Sequence, residues 1–352
     1  MNLSDMPSNP ANPLKSQIPS PAMPPTAKKM TITEIAQLAS VSTGTVSRAL
    51  NGRSRISEET RAKIMRIVEQ TGFVPDQGAQ RLARGTAPLI GVASRGGALR
   101  RPYYSYLLDA IQESFVAKGY AVRVLEPGED TATGGCVGFI VPGLHVDDSH
   151  PRILLEQGIP TVLIGQPREG CGCVEVAQHT GILEAMRHLV HLGHQNIVHL
   201  TGPPSGQEAL LRAAAYRAGL ERAGLPYDPE KVVDGNFSDL DAYRAIRRLL
   251  ERGQSFTGVF AASDEMALGA IRALEDCGLR VPHDVSVIGY DDLPFAKQSV
   301  PSLSTVRQPI REIGHAAAMI LLQYLDGIPL HTVQIETHLM VRDSTAPIKE
   351  RQ

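Results

Sequence analysis

Residues 42–57 read STGTVSRALNGRSRIS. Four of them are Ser, two are Thr and three are Arg, and only Val46, Ala49, Leu50 and Ile56 are apolar. Val46, Ala49 and Leu50 recur at i, i+3 and i+4, the spacing of a short helix with one buried stripe. Thr43, Gly44, Ser47 and Arg48 then lie on the opposite face. Small polar side chains let a helix sink into the DNA major groove, where an Arg can give two hydrogen bonds to one guanine. The same residues would also suit a helix that merely faces water, so the surroundings have to decide.

Outward from this stretch the pattern stays helical. Ile35, Leu38 and Ala39 precede it at the same spacing, and Ile64, Ile67 and Val68 follow. Thr33 and Ser57 stand as N-cap candidates, and Glu58 and Glu59 occupy a first turn where the helix dipole favours acids. A turn at Ser40–Val41–Ser42 between the first two helices gives a helix-turn-helix with a third, supporting helix. Residues 28–86 hold ten Lys or Arg against five acids, in a chain whose total charge is −2 and whose pI is near 6.6. The basic charge is therefore local, as expected of one nucleic-acid-binding segment on a neutral body.

The rest of the 352 residues divides by texture. Residues 1–29 carry seven prolines and little to pack, which predicts a disordered tail. Residues 30–75 are the helical headpiece, and 76–87, within FVPDQGAQRLARGTAP, form a hinge. From Pro88 short apolar runs alternate with helical stretches: LIGVA, AVRVL, VGFIV, TVLIG, NIVHLTG, GVFAA and VSVIGY as strands, with helices near 103–118, 180–192, 206–223, 239–252, 264–277 and 309–325. Such alternation predicts parallel sheets covered by helices, and its length over 88–345 calls for two such units. We place the first at about 88–177 and 307–332, and the second at about 178–306 and 333–345. The four cysteines show no metal or disulfide spacing, no run suits a signal peptide or a membrane span, and a cytoplasmic protein is expected.

TITEIAQLASVSTGTVSRALNGRSRISEETRAKIMRIVEQTGFVPDQGAQRLARG resembles the DNA-binding headpiece and hinge of the lac-repressor family (LacI/GalR). The match continues through HLVHLGHQNIVHLTGP, FAASDEMALGAIRAL and DVSVIGYDD. The resemblance implies a small all-α helix-turn-helix headpiece on an α/β periplasmic-binding-protein-like core of two doubly wound parallel-sheet subdomains. It further implies a homodimer, or a higher oligomer, on a pseudo-palindromic operator in double-stranded DNA, controlled by a small-molecule effector. On that reading Thr43, Gly44, Thr45, Ser47 and Arg48 face DNA, Arg53, Arg55 and Arg81 hold phosphates, and Leu82 wedges into the central base step. Tyr103, Tyr104, Arg212, Phe237, Ser263, Asp264 and Asp291 would line the effector cleft.

This sequence departs from the family pattern at several points. Gly44 has no side chain with which to read a base, and Ser40 stands at a turn position usually held by Gly, where a left-handed backbone is strained. Ser263 replaces a common Asn, and Gly165 stands where some sugar-binding relatives carry an Asp. Between AVRVLE and VGFIVPG only about ten residues remain, too few for the helix of a parallel crossover.

Other function classes find little support. His188, His191 and His194 lack an acid or Cys partner at ligand spacing, so neither metal nor cofactor is expected. No P-loop, GxSxG or HExxH occurs, which argues against an enzyme. A solute-binding protein remains the alternative that the core alone would allow, and the headpiece opposes it. Whether ligand releases DNA or favours its binding stays open at this stage.

Overall fold

The computed structural model describes residues 31–50, 56–71, 87–93, 101–125 and 135–348. The tail, the hinge with Arg81 and Leu82, Arg53, Arg55 and most of the short connection before β3 lie outside these residues.

The headpiece forms a unit of its own. Helix α1 (Ile32–Ala39) starts at Thr31, not at Thr33: the Glu34 N–H donates to the Thr31 hydroxyl (3.3 Å) and the Thr31 N–H to the Glu34 carboxylate (2.7 Å). This reciprocal box satisfies two N–H groups that the helix leaves unpaired. The helix ends at Ser40, which is left-handed (φ 56°), so the strain expected there is present. Helix α2 (Thr43–Leu50) is capped by Ser42, whose hydroxyl accepts from the Thr45 N–H, and α3 (Glu58–Thr71) by Ser57 in the same way. Ile35, Ala36, Ala39, Val46, Ala49 and Ile64 make the buried centre. Leu38, expected inside, is 55% exposed; Ala36 takes its place because the buried stripe of α1 runs through 35, 36 and 39.

The core holds two six-stranded sheets. The first lobe comprises β1 (Leu89–Ala93), α4 (Pro102–Val116), β2 (Ala121–Leu125), β3 (Cys136–Pro142), α5 (His150–Glu156), β4 (Thr161–Ile164) and β5 (Gly172–Ala177). The chain then enters the second lobe with α6 (Gln178–His191), β6 (Ile197–Thr201), α7 (Gln207–Arg222), β7 (Val232–Asp234), α8 (Asp239–Glu251), β8 (Gly258–Ala261), α9 (Asp264–Asp276), β9 (Ser286–Asp291), α10 (Pro294–Gln298) and β10 (Ser304–Arg307). It returns to the first lobe for α11 (Ile310–Leu325) and β11 (Thr332–Glu336), and ends in the second with β12 (His338–Met340). The strand orders are β2-β1-β3-β4-β5-β11, all parallel, and β7-β6-β8-β9-β10-β12, parallel but for β12.

The third crossing therefore falls at Thr337. Because β11 pairs with β5, the boundary expected at 332/333 moves to the gap between β11 and β12. Thr337 fastens this crossing to the first one: its hydroxyl donates to the Ala177 carbonyl (2.8 Å) and accepts from the Gly181 N–H (3.1 Å). Gly181 is small of necessity, since a Cβ there would lie 2.5 Å from Val306 and 2.7 Å from the Thr337 hydroxyl.

Helices α4 and α11 cover one face of the first sheet through Leu107, Ile111, Phe115, Ile313, Ala317 and Leu321. The opposite face buries Phe139, Val141, Leu154, Leu163 and Cys173, where α5 is the helix among the described residues. In the second lobe, α8 and α9 take one face and α6 and α7 the other. The lobes also touch across the cleft between them. Leu144–Val146, after β3, meet Ser205–Gln207, after β6, in an antiparallel bridge with two backbone bonds of 3.0 Å, Val146 N–H to Ser205 O and Gln207 N–H to Leu144 O.

Candidate functional site

In both sheets the strand order reverses beside the first strand, between β1 and β3 and between β6 and β8. Loops diverge at such points and leave a crevice at the C-terminal ends of the strands. The two crevices form one cleft, partly open to solvent. Every strand end of the first sheet from β1 to β5, apart from β2, supplies lining residues, as do β6, β7, β8, β9 and β10 of the second.

Arg212, on α7, organises the second-lobe wall. Its Nε donates to the Gln178 amide oxygen (2.7 Å) and its Nη1 to the Ala262 carbonyl (2.5 Å), and its guanidinium lies 3.8 Å from the Tyr290 ring centroid. Phe237 sits in a left-handed turn with Asn236 (φ 49° and 52°), and its ring rests on Gly202, where a Cβ would come within 2.1 Å of it. Arg101, from the first lobe, places its guanidinium 4.8 Å from the same ring. A cation over an aromatic face is held by the ring quadrupole, more strongly where water is excluded.

Asp291 ends β9 with φ 117°, and its carboxylate accepts from the Gln308 amide. A non-glycine residue in that region is strained, and such strain concentrates at ligand sites. Burial pushes the Asp291 carboxyl up to about 6, against the pull of Arg212, and pushes Glu265 up to about 7, with Asp291 adding to it. Glu208 is raised as well, by burial first. The cleft thus sets three carboxylates and two guanidiniums round a few aromatic rings, a lining suited to a ligand rich in hydroxyl groups.

Tyr103, Tyr104, Arg212, Phe237, Ser263 and Asp291 all line the cleft. Asp264, expected with them, does not. Its carboxylate is fully buried in the second lobe, accepting from the Leu293 N–H (2.7 Å) and the Thr305 hydroxyl (2.5 Å). The reason is helical geometry: Ser263 caps α9 by accepting from the Met266 N–H, and the next side chain turns inward. Arg101, His145, Gln178, Glu208, Glu265 and Gln308 were missed. Only Glu208 carried a local signal, standing one helical turn before Arg212.

The histidines have other work. His188 Nε2 pairs with the Thr345 hydroxyl, and His194 pairs with Thr257 and the Ala346 carbonyl, so both anchor the C-terminal segment.

On the headpiece, Thr43, Gly44 and Arg48 are exposed and Thr45 and Ser47 half-buried. The Arg48 Nε donates to the Gly44 carbonyl (3.0 Å), so the guanidinium lies along the surface that Gly44 leaves bare.

Two family models match the chain: bacterial regulatory proteins, lacI family, over residues 31–76, and a periplasmic binding protein-like domain over residues 186–345. The HTH-type transcriptional regulator CelR of Thermobifida fusca is 33% identical, over 90% of this chain and 98% of its own. The lactose operon repressor of Escherichia coli (strain K12) is 31% identical, over 91% and 93%. Among solved structures, a CelR–cellobiose complex superposes with a TM-score of 0.68 at 30% identity, covering 90% of this chain and 99% of that one. A lac repressor dimer bound to operator and the anti-inducer ONPF gives 0.65 at 29% identity, covering 91% and 100%.

Proposed function

The chain belongs to the lacI family of bacterial regulatory proteins, and from that premise we propose that it is a cytoplasmic, non-enzymatic repressor whose operator affinity is set by a sugar or sugar derivative in the cleft. The family acts as ligand-controlled, DNA-binding regulators of transcription, and the described residues of this chain contain no helix long and apolar enough to cross a membrane. A homodimer presents two headpieces to a pseudo-palindromic site. Arg48 reads a base, and Thr43, Thr45 and Ser47 fix the helix in the groove.

One observation carries the reading of the ligand. Phe237 lies beside Arg101 of one lobe and Arg212 of the other, at 4.8 and 5.8 Å, with Asp291 on the same wall. A ring face receives the apolar side of a sugar, and charged groups bond its hydroxyls. A ligand that touches both lobes favours one angle between them, and linkage makes its effect on DNA affinity equal to the effect of DNA on its own.

Selection of bound sequences from random duplex DNA by the full-length protein, with and without a panel of sugars and sugar acids, tests this. A palindromic motif whose occupancy shifts with one compound is expected, and the sign of the shift separates inducer from corepressor. Enrichment of no sequence would sink the proposal.

A further inference from the structure

Gly165, at the end of β4, has φ +139°, a conformation that residues with side chains rarely adopt. The first lobe therefore presents bare backbone at that point of the cleft. A Cβ built on Gly165 would have as its nearest neighbour the Glu208 Oε1 of the second lobe, at 3.5 Å. The Gly165 N–H is already given to the Val174 carbonyl, so the glycine offers this carboxylate no donor. Among the described residues no other residue donates a hydrogen bond to the Glu208 carboxylate. A carboxylate has about four acceptor positions, and in a closing cleft they need donors.

The cations among the described residues of the lining do not supply them. Arg212 stands one turn further along α7 but is committed to Gln178, Ala262 and the Tyr290 ring, and Arg101 lies over Phe237. Their charges offset that of Glu208 from a distance and leave its lone pairs free. Glu208, Glu265 and Asp291 together outnumber the two guanidiniums in the lining.

Building on the sugar reading above, we propose that Glu208 selects the effector: its carboxylate, reaching into the space left by Gly165, accepts hydrogen bonds from adjacent hydroxyls of a neutral sugar and rejects sugars bearing a carboxylate or phosphate there. Hydroxyls donate in pairs to the two carboxylate oxygens. An anionic group in the same place brings like charges together at the Glu208 carboxylate.

The test is calorimetric titration of the full-length protein and its Glu208→Gln and Glu208→Ala variants with cellobiose, glucose and xylose as neutral probes and glucuronate and glucose 6-phosphate as anionic ones. The wild type is expected to bind a neutral probe and neither anionic one. Both variants should lose roughly ten- to a hundredfold in affinity for that probe, the range of a hydrogen bond to a charged group. Glu208→Gln keeps the shape of the side chain, so a loss there reports the lost acceptor and not a fold defect, and its preference for neutral over anionic sugars should shrink. Unchanged affinity in both variants, or a wild type that prefers an anionic probe, overturns the inference while leaving a sugar effector in place. Binding of none of the five sugars by a wild type that still binds its operator overturns the sugar reading and this inference with it.

Discussion

The Arg212 guanidinium carbon lies 3.8 Å from the centroid of the Tyr290 ring, while two of its nitrogens are bonded to Gln178 and Ala262. Gln178 opens the helix after the first lobe crossing and Ala262 follows β8, so one side chain ties a crossing to the floor of the cleft. Arg212→Lys keeps the charge but loses the planar fork. We expect a stability loss of about 2 kcal/mol, from one stack and at least one charged bond, together with loss of the ligand response. Urea unfolding and operator titration with ligand measure the two effects separately.

Phe237 holds its place by resting on Gly202. Gly202→Ala drives a methyl group into the ring, which must swing away from Arg101 and Arg212. The expected outcome is weaker ligand binding, by roughly tenfold for one lost aromatic contact, with headpiece binding to operator retained. Calorimetry with the identified effector reads it.

Asp264 and Asp291 are both acids of the second lobe, and their variants should separate. Asp264→Ala leaves the Leu293 N–H and the Thr305 hydroxyl without their buried partner, a loss of roughly 2–4 kcal/mol. Asp291→Asn removes a charge that burial disfavours, so the ligand-free protein should melt at the same temperature or higher, while the ligand binds less tightly. Melting curves with and without ligand decide it; equal melting of the two variants would contradict the assignment of roles.

His199 is fully buried between the rings of Tyr216 and Phe260, and burial holds its pKa down at about 4 against an ordinary 6.5. Between pH 6.5 and 4 the unfolded chain takes up the proton and the native one does not. Stability therefore falls as pH drops through that window, by about 3 kcal/mol in full. Asp291 and Glu265, raised to about 6 and 7, act in the opposite sense and lose stability as pH rises toward neutrality. Replacing His199 by Phe keeps a ring in the stack, and the dependence of unfolding free energy on pH in that variant should be shallower by about one proton.

Arg48→Ala should weaken operator binding by about 1–3 kcal/mol, the worth of a bidentate base contact, and random DNA by much less. Band-shift titrations on both at two salt concentrations check it. Equal losses would make Arg48 a phosphate contact.

The headpiece was legible because its signals are local: a polar helix, a cap at Ser57 and an apolar triplet in each helix. Its misreadings were local too, since Thr31 competes with Thr33 as a cap and Leu38 with Ala36 for the inside. In the core the long apolar strands stood out, whereas α5 and α10 are single short helices opened by prolines, and β11 (TVQIE) lies at an edge with alternate residues exposed. GCVEVA, not among the expected strands, is β5. The cleft was half legible. Phe237, Arg212 and Asp291 sit in stretches with a recognisable pattern, but His145, Gln178 and Gln308 reach it only because nine strand ends converge there, which no single stretch of chain reveals.

The bridge between Leu144–Val146 and Ser205–Gln207 has a statistical consequence. Two backbone bonds contribute about 1 kcal/mol each, so breaking both leaves on the order of a few per cent of molecules unclasped at any instant. Entry of a ligand then waits on thermal breathing and not on force from the ligand itself. A bound molecule that touches both lobes makes the unclasped fraction smaller by its own contacts, and with them lengthens its residence.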